Sequence, residues 1–260
     1  MTWGIVPAAG IGSRIQPLAC SKELLPVGCR GGAGGERPRA VGEYLIERMI
    51  RGGATKICIV ISPTKADIIE YFARVRGGMC FAYVVQDRPG GLCDAIFQGL
   101  PLLAPDEPVL IGLPDTIWFP EDALAQLPDD RLSFLCFPVD EPQHLDAVLS
   151  DPSGRISEIQ VKHPAPSSHW AWGAFKLPAR ILAELHALWC EPGRNDMYVG
   201  TLVNAWIARG GTAFAVRTGT AYFDVGTLHG WRTAVRLLDE HPHGLPARPD
   251  RSSGALRKLL

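Results

Sequence analysis

The chain lacks any apolar run approaching the roughly 18 residues that a membrane helix requires, so a spanning anchor is excluded and a soluble protein is expected. It also lacks a charge excess. Lys plus Arg number 26 against 27 Asp plus Glu, so no global field draws nucleic acid, and any polyanion site must be a local concentration of charge. There is no C-x-x-C pair. The seven cysteines (Cys20, Cys29, Cys58, Cys80, Cys93, Cys136 and Cys190) are scattered and odd in number, which fits reduced thiols in a cytosol better than a disulfide frame, and all are assigned to packing. The N-terminus, MTWGIVPAAG, lacks the basic stretch of a secretory signal and runs directly into a Gly-rich turn, so it reads as a first strand, with a cytoplasmic location expected. The histidines lack metal-ligand spacing: His163, His169, His186 and His229 are isolated, and His241 and His243 lie near the end. No G-x-S-x-G elbow is present, and no cysteine is placed for covalent catalysis.

What is present is the alternation of a parallel sheet wrapped by helices. Short runs of Val, Ile, Phe and Leu predict strands at Thr2 to Val6, Lys56 to Ser62, Phe81 to Gln86, Val109 to Leu113 and Leu132 to Val139. Helical periodicity falls between them at Val41 to Arg51, Lys65 to Arg74, Leu92 to Leu100 and Glu121 to Leu127. Beyond Leu145 the strands shorten, to Ala147–Ser150, Arg155–Val161 and Trp170–Leu177, with a turn signal at Asp151 to Gly154. Helices at Ala179 to Trp189 and Asp196 to Arg209 follow, then strands near Ala213 to Arg217 and Ala221 to Asp224, then a helix from Leu228 to Asp239. The expectation is one domain over residues 1–240, with residues 1–140 binding a nucleotide and 141–240 binding an acceptor and completing a metal site. Residues 241–260 read as a flexible tail. The glycine-rich segment Gly28 to Arg39 reads as a mobile surface loop, either a phosphate-covering flap or a connection without consequence.

The densest chemistry is at the start: Ala8-Ala9-Gly10-Ile11-Gly12-Ser13-Arg14, then Pro17-Leu18, then Ser21-Lys22-Glu23-Leu24-Leu25-Pro26-Val27. A turn of small residues lets backbone N–H groups approach phosphate oxygens, because no Cβ intervenes. Arg14 and Lys22 add two cations at the same rim, which a departing pyrophosphate needs. The turn has no third glycine for a dinucleotide fingerprint and no G-K-S/T for a P-loop. Further on, Gln86-Asp87-Arg88-Pro89-Gly90-Gly91-Leu92 joins a strand to a helix, Asp115 follows the strand Val109 to Leu113, and Asp224 precedes Val225-Gly226-Thr227.

Together these strings resemble the sugar-1-phosphate nucleotidyltransferases, whose opening runs A-A-G-x-G-[ST]-R-x-x-P-L followed by K-x-L-L-P-V; the resemblance spans about residues 3 to 235. It is greatest to the glucose-1-phosphate thymidylyltransferases and their uridylyl counterparts. It implies an α/β, Rossmann-like three-layer sandwich with a mixed central sheet and a small substrate-binding lobe. It implies that an NTP, dTTP or UTP favoured, condenses with a sugar 1-phosphate and releases pyrophosphate. By position, Ala8, Ala9, Gly10, Gly12 and Ser13 cradle phosphates, Arg14 and Lys22 neutralise them, and Gln86 and Gly91 address the base; a Gln side chain offers the donor and acceptor that a pyrimidine imide edge requires. Asp115 and Asp224 hold Mg²⁺, an ion that takes one or two carboxylates and fills its other positions with water and phosphate. Lys162 grips the acceptor phosphate, and Gly173 lines the acceptor pocket. The family glutamate before that lysine is Val161 here, and a family Tyr-Gly pair reads Asp146-Ala147. Two alternatives therefore stay open, a phosphorylated acceptor that is not a sugar and a non-catalytic nucleotide-binding subunit. The expected partners are small molecules, with neither nucleic acid nor membrane, and the relatives' habit is a homo-oligomer.

Overall fold

The computed structural model describes residues 1–32, 35–75 and 78–240. The tail expected to be flexible, residues 241–260, lies outside them. The elements run β1 (Thr2–Pro7), β2 (Pro26–Gly32), β3 (Gly35–Ala40), α1 (Val41–Arg51), β4 (Ala54–Ile61), α2 (Ala66–Val75), β5 (Cys80–Val85), α3 (Gly91–Phe97), β6 (Pro108–Gly112), β7 (Thr116–Phe119) and β8 (Leu132–Pro138). They continue with β9 (Asp146–Ser150), β10 (Ile156–Val161), β11 (Trp170–Pro178), α4 (Ala179–Trp189), α5 (Val199–Ala208), β12 (Ala213–Val216), β13 (Ala221–Asp224) and α6 (Leu228–Glu240).

The main sheet is mixed, with the order β10-β9-β11-β6-β1-β4-β5; β8 pairs with β11, and β12 pairs with β8. Strands β6, β1, β4 and β5 are parallel, and β11 runs antiparallel to β6 and β8. From β1 the chain steps outward to β4 and β5, then returns to place β6 on the other side of β1. That reversal opens a crevice at the carboxyl ends of β1 and β6, where ligands of open α/β sheets bind. The turn of residues 8–14 leaves β1 there, and Asp115 leaves β6 there.

Both sheet faces are apolar, as a parallel sheet covered on two sides requires. Ile57, Ile59 and Ile61 of β4 enter one core while Cys58 and Val60 enter the other, and Leu110 of β6 opposes Val109 and Ile111 in the same way. This two-residue alternation of apolar with apolar is the physical content of the continuous hydrophobic runs in the sequence. A third core, built on Val27, Tyr44, Ile117, Phe119 and Val225, sits beneath the small β7–β13 ribbon.

Several expectations need correction. The described residues of Gly28 to Arg39 are strand and not loop: β2 and β3 pair antiparallel. Its arginines reach α1, with Arg37 2.7 Å from Glu43 and Arg39 2.5 Å from Glu47, and the Trp231 indole of α6 donates to Pro26 O. Glycine and arginine content concealed strands that are held by side chains of a neighbouring helix. Strand β7 (Thr116–Phe119) went unpredicted, and it is placed by its pairing with the distant β13. Glu121 to Leu127 is a single 3-10 turn at Ala123–Gln126, α3 stops at Phe97, and α5 begins at Val199 rather than Asp196. Cys58, Cys93 and Cys136 are buried packing residues as expected, whereas Cys29, Cys80 and Cys190 are exposed.

Ile5 is fully buried on the central strand β1. Ile5→Ala is expected to lower unfolding free energy by about 2–5 kcal/mol, combining lost transfer energy with an unfilled cavity. The measurement is the shift of the denaturant midpoint at unchanged slope.

Candidate active site

The site is assembled by one short antiparallel ribbon. Strand β13 pairs with β7 in the register Asp224↔Thr116, and Val225 N donates to Asp115 O at 2.8 Å. Two carboxylates more than a hundred residues apart are thereby made neighbours. Gly226 measures their approach: a Cβ built there would stand 2.7 Å from Asp115 Oδ2, 2.9 Å from Asp224 Oδ1 and 2.9 Å from Arg14 Nη2. The two carboxyl groups thus face one small volume that tolerates no side chain at 226.

The glycine turn faces the same volume. Gly12 has φ +71°, a left-handed conformation that glycine adopts without strain, and a Cβ there would lie 2.8 Å from Lys22 Cδ. Lys22, on a single 3-10 turn (Lys22–Leu24), passes this glycine and reaches Asp115 Oδ2 at 2.6 Å. Arg14 Nη1 lies 2.8 Å from Asp224 Oδ2, whose other oxygen accepts from Gly226 N at 2.9 Å. Each acidic residue is therefore matched with one cation of the phosphate-binding segment.

These pairs govern the charge states. Burial pushes the Asp115 carboxyl up, but the Lys22 ammonium and, further off, Arg14 outweigh it and hold the group below the ordinary aspartate range. Burial likewise favours neutral Lys22, and Asp115 and Glu23 overcome it, so the lysine keeps its proton more firmly than usual. Tyr222, two residues before Asp224, is held neutral by burial first and then by the Asp224 and Asp115 charges.

The other predicted residues fall around this centre. Ala8 and Ala9 are buried at the end of β1, while Gly10 and Ser13 are exposed in the turn. Gln86 is buried, and its side-chain amide donates to Asp94 Oδ2 at 2.5 Å and to Gly91 O at 3.4 Å. It thus ties the start of α3 to β5, and its donor is engaged. Gly91 packs on the segment before α5, with Leu92 N donating to Met197 O at 3.1 Å. Gly173 forms a bulge in β11 under the ring of Tyr222, where a Cβ would come within 2.5 Å of Cε2. Lys162 ends β10 with φ +46°, a conformation non-glycine residues rarely adopt, and its ammonium donates to His144 O at 2.7 Å. Beside it, burial pushes the Asp146 carboxyl up while the Lys162 charge pulls it back. Asp146 Oδ1 and Trp172 Nε1 are buried, and the Trp172 indole N–H, like the Lys162 backbone, favours the Asp146 carboxylate. Val161 packs against Gly200 of α5.

Sequence reasoning missed Tyr222, Gly226, Met197 and the buried Glu23–Lys65 pair. The D-x-G spacing could have indicated Gly226. The others had no local signal, because their roles depend on residues distant in the chain. No cluster of three or more His, Cys, Asp or Glu side chains suited to a metal occurs among the described residues. A divalent ion held by Asp115 and Asp224 would need its remaining ligands from water and substrate, a donor set that fits a hard ion such as Mg²⁺.

Comparison with known proteins shows the family and the fold. The family model described as nucleotidyl transferase matches residues 3–240. A glucose-1-phosphate thymidylyltransferase of Actinoplanes sp. is 27% identical over 252 residues, covering 91% of this chain and 79% of that protein. A UTP–glucose-1-phosphate uridylyltransferase of Haloferax volcanii is 24% identical, covering 91% of this chain and 96% of its own length. The solved UDP-glucose pyrophosphorylase of Acinetobacter baumannii superposes with a TM-score of 0.75 at 20% identity, over 94% of this chain and 95% of that one, and so shares the fold.

Lys22→Met leaves the buried Asp115 carboxylate without its partner and is expected to cost roughly 3 kcal/mol at neutral pH. In the parent, Asp115 titrates below its unfolded value. Its contribution is complete above about pH 3.9 and fades as pH falls through the lower folded value. In the variant burial dominates and raises that value, so the penalty shrinks as acid protonates Asp115. Denaturant midpoints should show a gap between the two proteins that narrows from about pH 7 to about pH 4; a gap independent of pH counts against the pairing.

Proposed function

The chain belongs to the nucleotidyl transferase family, and from that premise we propose that it joins the nucleoside monophosphate of an NTP, dTTP or UTP, to a sugar 1-phosphate and releases pyrophosphate. The observation that carries this reading is the meeting of Asp115, Asp224, Lys22, Arg14 and the glycine turn in the crevice at the carboxyl ends of β1 and β6.

A sugar phosphate is mainly dianionic at neutral pH, because its second pKa is near 6. Its oxygen can therefore attack the α-phosphorus without a general base. A new P–O bond forms to the acceptor as the α–β bridging P–O bond breaks, and pyrophosphate departs with the electron pair. The chain's contribution is positioning and charge neutralisation. The N–H groups of the turn and the Arg14 guanidinium face the β and γ phosphates. Lys22 serves the α-phosphate and the leaving group, exchanging its bond to Asp115 for phosphate oxygens. Asp115 and Asp224, released from their cations, would hold Mg²⁺. When bound, that ion would supply positive charge against the phosphate charge that develops during transfer.

Residues 1–140 serve the nucleotide on this reading, with Gln86 holding the Gly91 turn at the base. Residues 141–240 serve the acceptor and complete the ion site through Asp224. Lys162 takes the acceptor phosphate. Asp146 Oδ1 and Trp172 Nε1 offer one buried acceptor and one buried donor, which a hydroxyl group complements. The similarity to proteins named for glucose 1-phosphate favours a sugar over another phosphorylated acceptor, and the complete set of carboxylates and cations favours catalysis over binding alone.

The test is a matrix of the common NTPs against a set of sugar 1-phosphates in Mg²⁺, scored for pyrophosphate. One pyrimidine nucleotide paired with a hexose 1-phosphate is expected to stand out, and silence across the matrix sinks the assignment. Arg14→Ala and Asp115→Asn should each lower turnover by roughly two to three orders of magnitude while circular dichroism stays unchanged. Either variant keeping most of its activity removes that residue from its assigned role.

A further inference from the structure

Lys22 carries the most demanding position in the site, yet its own short turn has little to hold it. Both of its chain neighbours are instead tied to one distant segment, the entrance of α2. On one side, Ser21 donates from its N–H and its hydroxyl to Asp67, both at 2.7 Å. On the other, Glu23 receives Lys65 Nζ on both carboxylate oxygens, at 2.9 and 2.8 Å. The same ammonium donates to Ala8 O at 2.6 Å, where β1 passes into the glycine turn. Lys65 thus spends its three hydrogens on the two backbone segments that meet the triphosphate.

We propose that Lys65 is a positioning residue for nucleotidyl transfer: through Glu23 and the Ala8 carbonyl, with Asp67 on the opposite flank, it fixes Lys22 and the glycine turn relative to each other. The proposal rests on the reaction assigned above. A purely structural account fits the pair less well. Glu23 and Lys65 are almost completely buried. Burial pushes the Glu23 carboxyl up and the Lys65 ammonium down despite their contact. Desolvation thus outweighs attraction, and an apolar pair of similar volume would serve packing as well or better. An apolar pair could not hold the Ala8 carbonyl, nor aim the turn that carries Lys22 past Gly12 toward Asp115.

That difference supplies the experiment. Lys65→Met alone strands Glu23 and should lower the melting temperature. Glu23→Met combined with Lys65→Met should recover most of that temperature without recovering turnover. The expected loss in kcat/KM for the NTP is on the order of a hundredfold, as for a misplacement near 1 Å, with the acceptor KM unchanged. Asp67→Asn, which acts from the other flank, should lose activity in the same direction and carries the test if the double variant does not fold. Recovery of turnover together with stability, or an acceptor KM raised as much as that of the NTP, overturns the proposal. A second readout needs no turnover: acylation of lysines, followed peptide by peptide by mass spectrometry. Lys22 should label faster in the double variant, relative to the other lysines, as it leaves Asp115; an unchanged rate overturns the proposal. If the parent protein releases no pyrophosphate, the assigned reaction falls, and the labelling alone decides whether Lys65 holds Lys22.

Discussion

The pairing of β7 with β13 is the contact on which the rest of the site depends. It is small, four residues against four, yet it sets Asp115, just past β6, beside Asp224 at the end of β13. Two anions brought so close repel each other strongly in a buried setting. The ribbon persists because Lys22 and Arg14 meet them at 2.6 and 2.8 Å, and because Ile117, Phe119 and Val225 bury its underside. Apolar burial fixes the backbone, and the backbone then forces the charges together.

The reciprocal pairing of acids with cations has a chemical meaning. Every group that would face a triphosphate or a divalent ion is neutralised by another group of the same site. On the proposed reading, a nucleotide arriving with its metal ion would give each cation a phosphate and each carboxylate the ion in exchange for the internal pair. A lone anion or a lone cation would have to break a pair and leave its partner exposed. The arrangement favours substrates that carry both charges in one complex.

Two departures from the pattern of the resembled family, Val161 and Asp146, fall opposite each other on the neighbouring strands β10 and β9. Val161, in the place of a family glutamate, packs on Gly200 and is recruited into the helix–sheet contact. Asp146 stands on the neighbouring strand, paired across β9–β10 with Val161. This carboxylate stands beside Trp172 and Lys162. A bulge at Gly173 admits Tyr222 over β11 and closes this part of the sheet against the ribbon.

Much of the molecule was legible beforehand. Helices α1 and α4 match their expected bounds because long amphipathic periods with clear ends leave little freedom, and the opening motif identified Arg14, Lys22 and the turn because these lie within one short string. The pairing of β2 with β3 was illegible: the strands are rich in glycine and arginine, and contacts from α1 and α6, among them Glu43, Glu47 and Trp231, hold them in place. The same reason hid Lys65, an unremarkable surface lysine by sequence that is buried between Glu23 and Ala8. Periodicity and local motifs, which act through near neighbours, determined the elements and the kind of chemistry. The convergence of Asp115 with Asp224, and the ties that aim Lys22, were decided only by long-range packing, since a hydrogen bond or ion pair acts across space regardless of the chain between its ends.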